Sequence, residues 1–231
     1  MLAAGCGERL RPLTDDRPKP MIEIGGKPIL RYNLETLARA GVREAVINLH
    51  YLPDRVREYF GAECAGIALS YSYEPELLGT AGAARKCADF LRGDDFVVAY
   101  GDNLSTIDLG RLVAQHRRHD ADLTLAVFHR DDVAASGIVG LDATDRVTRF
   151  LEKPREDEIF SRWVNAGYFV AKPSVLDAIP DNGPSDFGRD VLPLLLARGA
   201  HVDGYRMTER LWWIDSPADY ERTLAAFESP Q

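Results

Sequence analysis

The chain has 231 residues, 45% of them hydrophobic and 28% charged, which is enough apolar side chain for a full core, and its formal net charge is −8. That charge, with no long basic run, argues against a nucleic-acid partner, since neutralising phosphates takes clustered Lys and Arg; a small anionic substrate in a local cationic pocket stays open. Cys6, Cys64 and Cys87 lack C-x-x-C spacing, the five histidines lack H-E-x-x-H, and no apolar run reaches about 18 residues. No disulfide scaffold, structural zinc or membrane span is therefore expected. With no charged-then-apolar signal segment at its start, the chain reads as cytoplasmic.

Leu2 to Ala4 read as the end of a strand. Only Met1 to Ala4 precede the loop at Gly5, fewer than the usual strand of about 5–6 residues, so a native form with a few more apolar residues, and greater stability, is expected. Residues 28–40 place Ile29, Leu30, Leu34, Leu37 and Ala38 on one helical face, and Gly41 ends that helix. The apolar run in Val42 to His50 suits a strand buried on both faces, and a helix starts at Pro53. IALSYSY (67–73) reads as a strand, 81–91 as a helix and 95–100 as another buried strand.

The second half is less regular. Residues 108–118 look helical, and His116 and His119 share one helical face, read as solvated. Residues 122–129 look extended, IVGL, VTRFLE and WVNAGYFVA look like strands, and DFGRDVLPLLLARG is helical if the α-helix starts near Leu192, where Pro193 is tolerated. A last helix begins at Pro217. No repeat or linker interrupts the series. The alternation predicts an α/β domain with a mainly parallel central sheet, helices on both faces, and ligands at the carboxyl ends of the strands.

MLAAGCGERLRPLTDDRPKP carries the most chemistry. Gly5 and Gly7 let a ligand approach the backbone, successive N–H groups after a strand make an anion site, and Arg9, Arg11, Arg17 and Lys19 crowd the same stretch. Such convergence suits a triphosphate. Gly-x-Gly alone recurs by chance, and a dinucleotide fingerprint would need a third glycine where Leu10 stands.

The same string resembles the signature of sugar-1-phosphate nucleotidyltransferases, approximately L-A-(A/G)-G-x-G-T-R-L-x-P-L-T…P-K-P. The likeness continues through MIEIGGKPIL, EPELLGTAGAA, YGDN, FLEKP, VNAGYF and WIDSPADY, in the family's order. The resemblance implies one Rossmann-like nucleotidyltransferase domain over 1–231, with 1–105 mainly binding nucleotide and 106–231 mainly binding sugar phosphate. It implies a magnesium-dependent attack of a sugar 1-phosphate on the α-phosphorus of a nucleoside triphosphate, releasing pyrophosphate. Both reactants are anions, so positioning and charge neutralisation carry the reaction.

By the same resemblance, Leu2, Ala3, Ala4, Gly5 and Gly7 cradle the nucleotide with Gly101, while Arg9 and Lys19 contact its phosphates. Lys19 lies between Pro18 and Pro20, which restrict its backbone. Glu74, Gly79, Thr80 and Ala81 meet base and sugar, although a plain helix entry explains the small residues almost as well. Asp102, at the carboxyl end of an apolar strand, and Asp215 are the Mg²⁺ ligands; either could instead cap a helix. Glu152 would hold acceptor hydroxyls and Lys153 its phosphate, with Gly137 and Asn165 nearby. Arg9, Lys19 and Asp102 are the catalytic set.

Three residues, at two places, depart from the pattern. Glu8 replaces the usual threonine, and Ser216-Pro217 replaces Gly-Thr. No long C-terminal extension follows, so acetyltransferase or hexapeptide-repeat activity is not expected. LGTAGA and DFGRDVLP look most like guanylyltransferases for mannose or heptose phosphates, which favours GTP over UTP, dTTP or CTP. Nucleotidyl transfer to phosphocholine and a regulatory sugar-nucleotide-binding paralogue are the alternatives. Homo-oligomerisation is left open.

Overall fold

The computed structural model describes residues 1–228. In chain order it contains β1 (Glu23–Ile24), β2 (Lys27–Pro28), α1 (Ile29–Arg39), β3 (Glu44–Leu49), α2 (Pro53–Phe60), β4 (Glu63–Cys64), β5 (Ile67–Tyr73), α3 (Gly79–Lys86), α4 (Ala88–Leu91), β6 (Phe96–Ala99) and β7 (Asn103–Ser105). After these come α5 (Leu109–His119), β8 (Leu123–His129), β9 (Gly137–Leu141), β10 (Val147–Glu152), β11 (Trp163–Ala171), a π-turn at Phe187–Val191, α6 (Leu192–Ala197), β12 (Val202–Arg206), β13 (Leu211–Trp213) and α7 (Pro217–Glu228). No helix among the described residues is long and apolar enough to cross a membrane.

Two compact units are interleaved along the chain. The first takes Met1–Leu77, Ala99–Leu109 and the residues from Glu209 on; the second takes Leu78–Val98 and Gly110–Thr208. In the first, β3 pairs parallel with β5, whose start pairs with the short β4. Leu2 joins this sheet as the expected strand end: it bridges Asn48 and Tyr100, both in parallel, and its N–H donates to Ala99 O at 2.8 Å. Ile22, Ile24, Ile29, Leu104 and Ile214 form an apolar cluster there, with Leu10 beneath the opening loop.

The second unit holds a six-stranded sheet in the order β10-β9-β11-β8-β12, with β6 also on β11. This sheet is mixed, which corrects the expectation of a mainly parallel one. β12 runs parallel to β8, while β9, β10 and β11 run antiparallel to their neighbours. The connection decides it: β9 and β10 are joined by a tight turn in which Asp142 accepts from the N–H of Thr144 and Arg146, too short for a parallel crossover. β8 reads LTLAVFH and is buried from Leu123 to Val127, as an inner strand must be.

The expected helix over 81–91 breaks at Cys87 into α3 and α4. The helix over 187–197 opens as a π-turn and becomes α-helical at Leu192, which places Pro193 in its first turn. His116 is not on a solvated face: it is 1% exposed, with Nδ1 2.9 Å from Thr124 Oγ1 on β8.

Candidate active site

In the first unit a cleft of about 590 Å³ is lined by Gly5, Cys6, Gly7, Glu8, Arg9, Leu10, Lys19, Leu77, Asp102 and Asp215. The loop between Leu2 and Lys19 shapes its floor. Gly7 has φ 65°, and a Cβ there would sit 2.9 Å from Thr14 Cγ2 and 3.0 Å from Lys19 Cβ, so no other residue fits without displacing the lysine. Thr14 Oγ1 donates to Gly7 O at 2.9 Å, and Leu10 N returns to the same carbonyl at 2.9 Å. Gly5 is different: a Cβ there would meet nothing, so space is open beside it.

Lys19 is buried, and its ammonium donates to Asp102 Oδ2 at 2.8 Å and to Asp215 Oδ1 at 2.7 Å. Burial alone would lower its pKa, but the two carboxylates outweigh burial and hold it above the ordinary lysine value. Arg9 reaches Asp215 Oδ1 at 3.4 Å from a largely exposed position. The two aspartates are brought together by strands rather than by helix starts. β7 pairs antiparallel with β13, with Asn103 opposite Trp213, so the residues just outside the pair, Asp102 and Asp215, emerge on the same end. The capping role belongs to Ser216, whose hydroxyl donates to Asp219 and accepts from the Asp219 N–H.

The other residues of this unit that the sequence resemblance assigns to the nucleotide are engaged with their neighbours. Leu2 O accepts from Gly101 N at 2.8 Å, and a Cβ on Gly101 would lie 3.1 Å from that oxygen. Ala3 N donates to Asn48 Oδ1 at 2.7 Å, and Asn48 Nδ2 donates to Glu74 Oε1 at 2.9 Å. Ala4 and Glu74 are buried. Asn48 was not singled out by the sequence, where it is one polar residue inside the apolar run AVINL.

The second unit carries Gly79, Thr80, Ala81, Gly137, Glu152, Lys153 and Asn165. Gly79 has φ 74°, and a Cβ would be 2.4 Å from Ser185 O, the same carbonyl that accepts from Ala81 and Gly82 N. The Thr80 hydroxyl is taken up within the protein: it donates to Asp186 Oδ1 at 3.1 Å and accepts from Phe187 N at 2.9 Å. Glu152 on β10 lies opposite Gly137 on β9, and Ile138 lies opposite Val164 on β11. Asn165 is the next residue on β11 after Val164, and its side chain accepts from Gly167 N at 2.9 Å. Lys153 follows in the left-handed region, φ 48°, with its N–H on Ser136 O. Burial pushes the Glu152 carboxyl above its ordinary pKa, with Lys153 opposing.

The model of the nucleotidyl transferase family matches residues 1–216. The chain belongs to this family. It is 38% identical, over 97% of its length and 63% of the relative's, to a mannose-1-phosphate guanylyltransferase of Mycobacterium tuberculosis. A UTP–glucose-1-phosphate uridylyltransferase of a Synechocystis strain is 33% identical over 93% of this chain and 58% of its own. The chain thus spans about six tenths of these curated relatives. Among solved structures, HddC from Yersinia pseudotuberculosis complexed with GMP-PN superposes with a TM-score of 0.81 at 26% identity, covering 98% of this chain and 97% of that one.

Proposed function

We propose that the protein transfers a nucleoside monophosphate, GMP by preference, from the triphosphate to a sugar 1-phosphate or sugar-like phosphate, releasing pyrophosphate. The observation that carries this reading is the convergence of Lys19, Asp102 and Asp215 on one point beside the glycine loop. Guanylyl transfer is favoured because the mannose-1-phosphate enzyme and the GMP-PN complex are named for guanine nucleotides.

Asp102 and Asp215 supply two carboxylates, each about one third exposed. No cluster of three His, Cys, Asp or Glu suited to a metal ion exists among the described residues. That donor set fits Mg²⁺, which takes one or two carboxylates and completes its shell with phosphate oxygens and water. When bound, the ion neutralises charge on the phosphates. Lys19 delivers a protonated ammonium to the α-phosphate region, kept charged by its carboxylate neighbours. Arg9, at the mouth, meets the outer phosphates, and the backbone after Ala4 cradles them. On the acceptor side Lys153 takes the phosphate and Glu152 the hydroxyls. A phosphate oxygen is already a nucleophile at neutral pH, so no general base is required.

The test is pyrophosphate release across GTP, UTP, CTP, dTTP and ATP, each with a panel of sugar 1-phosphates and with phosphocholine. Activity highest with GTP and a sugar 1-phosphate, abolished by EDTA and restored by Mg²⁺, is expected. No release with any sugar phosphate would sink the reading.

A further inference from the structure

The Glu152 carboxylate sits in a slot with two glycine walls. A Cβ built on Gly137 would be 2.6 Å from Glu152 Oε2, and a Cβ built on Gly188 would be 2.6 Å from the same oxygen. Gly137 is already constrained from the other side, since its Cβ would also meet Phe150 Cζ at 2.4 Å. A Cβ on Gly188 would stand 3.3 Å from the Phe150 ring, tight but tolerable, so the group it would force to move is the carboxylate end of the Glu152 side chain. It lies in the π-turn Phe187–Val191, a geometry that is rare and concentrated at functional sites.

The wall is held in place. Thr80 Oγ1 binds both Asp186 and Phe187, Ser185 O accepts from α3, and the Phe187 ring stacks on Phe169 with centroids 5.3 Å apart. Against it, the Glu152 carboxylate accepts no hydrogen bond from another described residue; Lys153, Asp186 and Arg189 act on it only as nearby charges. A partly buried carboxylate supported by rigid neighbours, yet left without a donor, is arranged for donors brought by a ligand.

We propose that Gly188 is a positioning residue that determines acceptor specificity, by leaving the space in which Glu152 is held to accept hydrogen bonds from acceptor hydroxyls. This rests on the reading of Glu152 as a hydroxyl-binding group in a sugar-1-phosphate nucleotidyltransferase. It adds a residue whose effect passes entirely through another side chain. The acceptor class it implies is a phosphorylated polyol with a free hydroxyl at the position Glu152 reads.

The experiment compares wild type, Gly188→Ala, Glu152→Ala and the double variant, with GTP and a panel of sugar 1-phosphates, mannose 1-phosphate and its single-deoxy analogues among them. In wild type one deoxy analogue should lose roughly 10- to 100-fold in kcat/KM, the range for a hydrogen bond to a charged group. Gly188→Ala should raise the acceptor KM by a similar factor and erase that discrimination, with KM for the triphosphate unchanged. In the Glu152→Ala background the glycine substitution should add nothing. A further loss in the double variant, or equal rises in both KM values, would overturn the proposal. So would a crystal structure of Gly188→Ala with the carboxylate undisplaced. If Gly188→Ala fails to fold, a folded double variant supports the slot and an unfolded one counts against it. A wild type active on sugar phosphates but indifferent to Gly188→Ala refutes this proposal alone, whereas a wild type inactive on all of them refutes the functional reading beneath it.

Discussion

Lys19 lies in a polar, charged loop, where a lysine ordinarily stays in solvent, yet it is 6% exposed and held by two carboxylates. Its place was legible because a motif surrounds it; its burial was not, since nothing local says that Asp215, 196 positions away, will arrive beside it. The same limit hid Gly188, whose need for a bare Cα comes from a carboxylate on a distant strand, and Asn48, whose partners are Ala3 and Glu74. Lys19→Ala is expected to fold but to lose on the order of 100- to 1,000-fold in kcat, the usual cost of one preorganised charge at a transition state. Its affinity for Mg²⁺, titrated by calorimetry without nucleotide, should rise, because no ammonium then occupies the point between Asp102 and Asp215. A folded variant with near-normal kcat would remove Lys19 from the chemistry, and an unchanged Mg²⁺ affinity would mean that the aspartates do not share an ion.

Among elements, those with enough length to show a period were legible: α1, β3, β5, β10 and β11 appear within a residue or two of where the apolar pattern puts them. The two- and three-residue strands were not, and β7 and β13 among them are what join the aspartates. β12 was masked by Asp203 and Gly204 inside it. Asp203 is buried to accept from His119 and His201, and a Cβ on Gly204 would lie 2.5 Å from Leu141 Cδ2. Two predictions belong here. Gly79→Ala should destabilise the second unit by about 1–3 kcal/mol, the cost of a non-glycine residue in the left-handed region, before the clash with Ser185 O is counted; a melting temperature equal to wild type would refute this. His116 joins α5 to β8, and burial holds its pKa below the ordinary 6.5 despite Asp95 nearby. The unfolded chain therefore takes up the proton first, and stability should fall as pH drops through 6.5 toward the folded-state value. His116→Gln should show a flatter melting-temperature profile from pH 7.5 to 5.5; an identical profile would mean that other groups set it.

On the scale of the whole molecule, the interleaving of the two units governs what can be cut. The first unit needs its last stretch, from Glu209 on, to supply β13 and Asp215. A fragment ending at Leu109 keeps the glycine loop, Lys19 and Asp102 but lacks the strand that pairs with β7. It should show no cooperative thermal unfolding, and a sharp transition by circular dichroism would refute that. The family's order of motifs was legible end to end, whereas the division into units was not, because each unit is built from segments far apart in the chain. The ladder from Asn103 to Trp213 also sets a timetable for synthesis. A chain growing from its N-terminus exposes the whole of the second unit, through Thr208, before β13 exists. Until that strand leaves the ribosome Lys19 has only Asp102 beside it, so the cluster that Asp215 completes forms only after most of the chain is made.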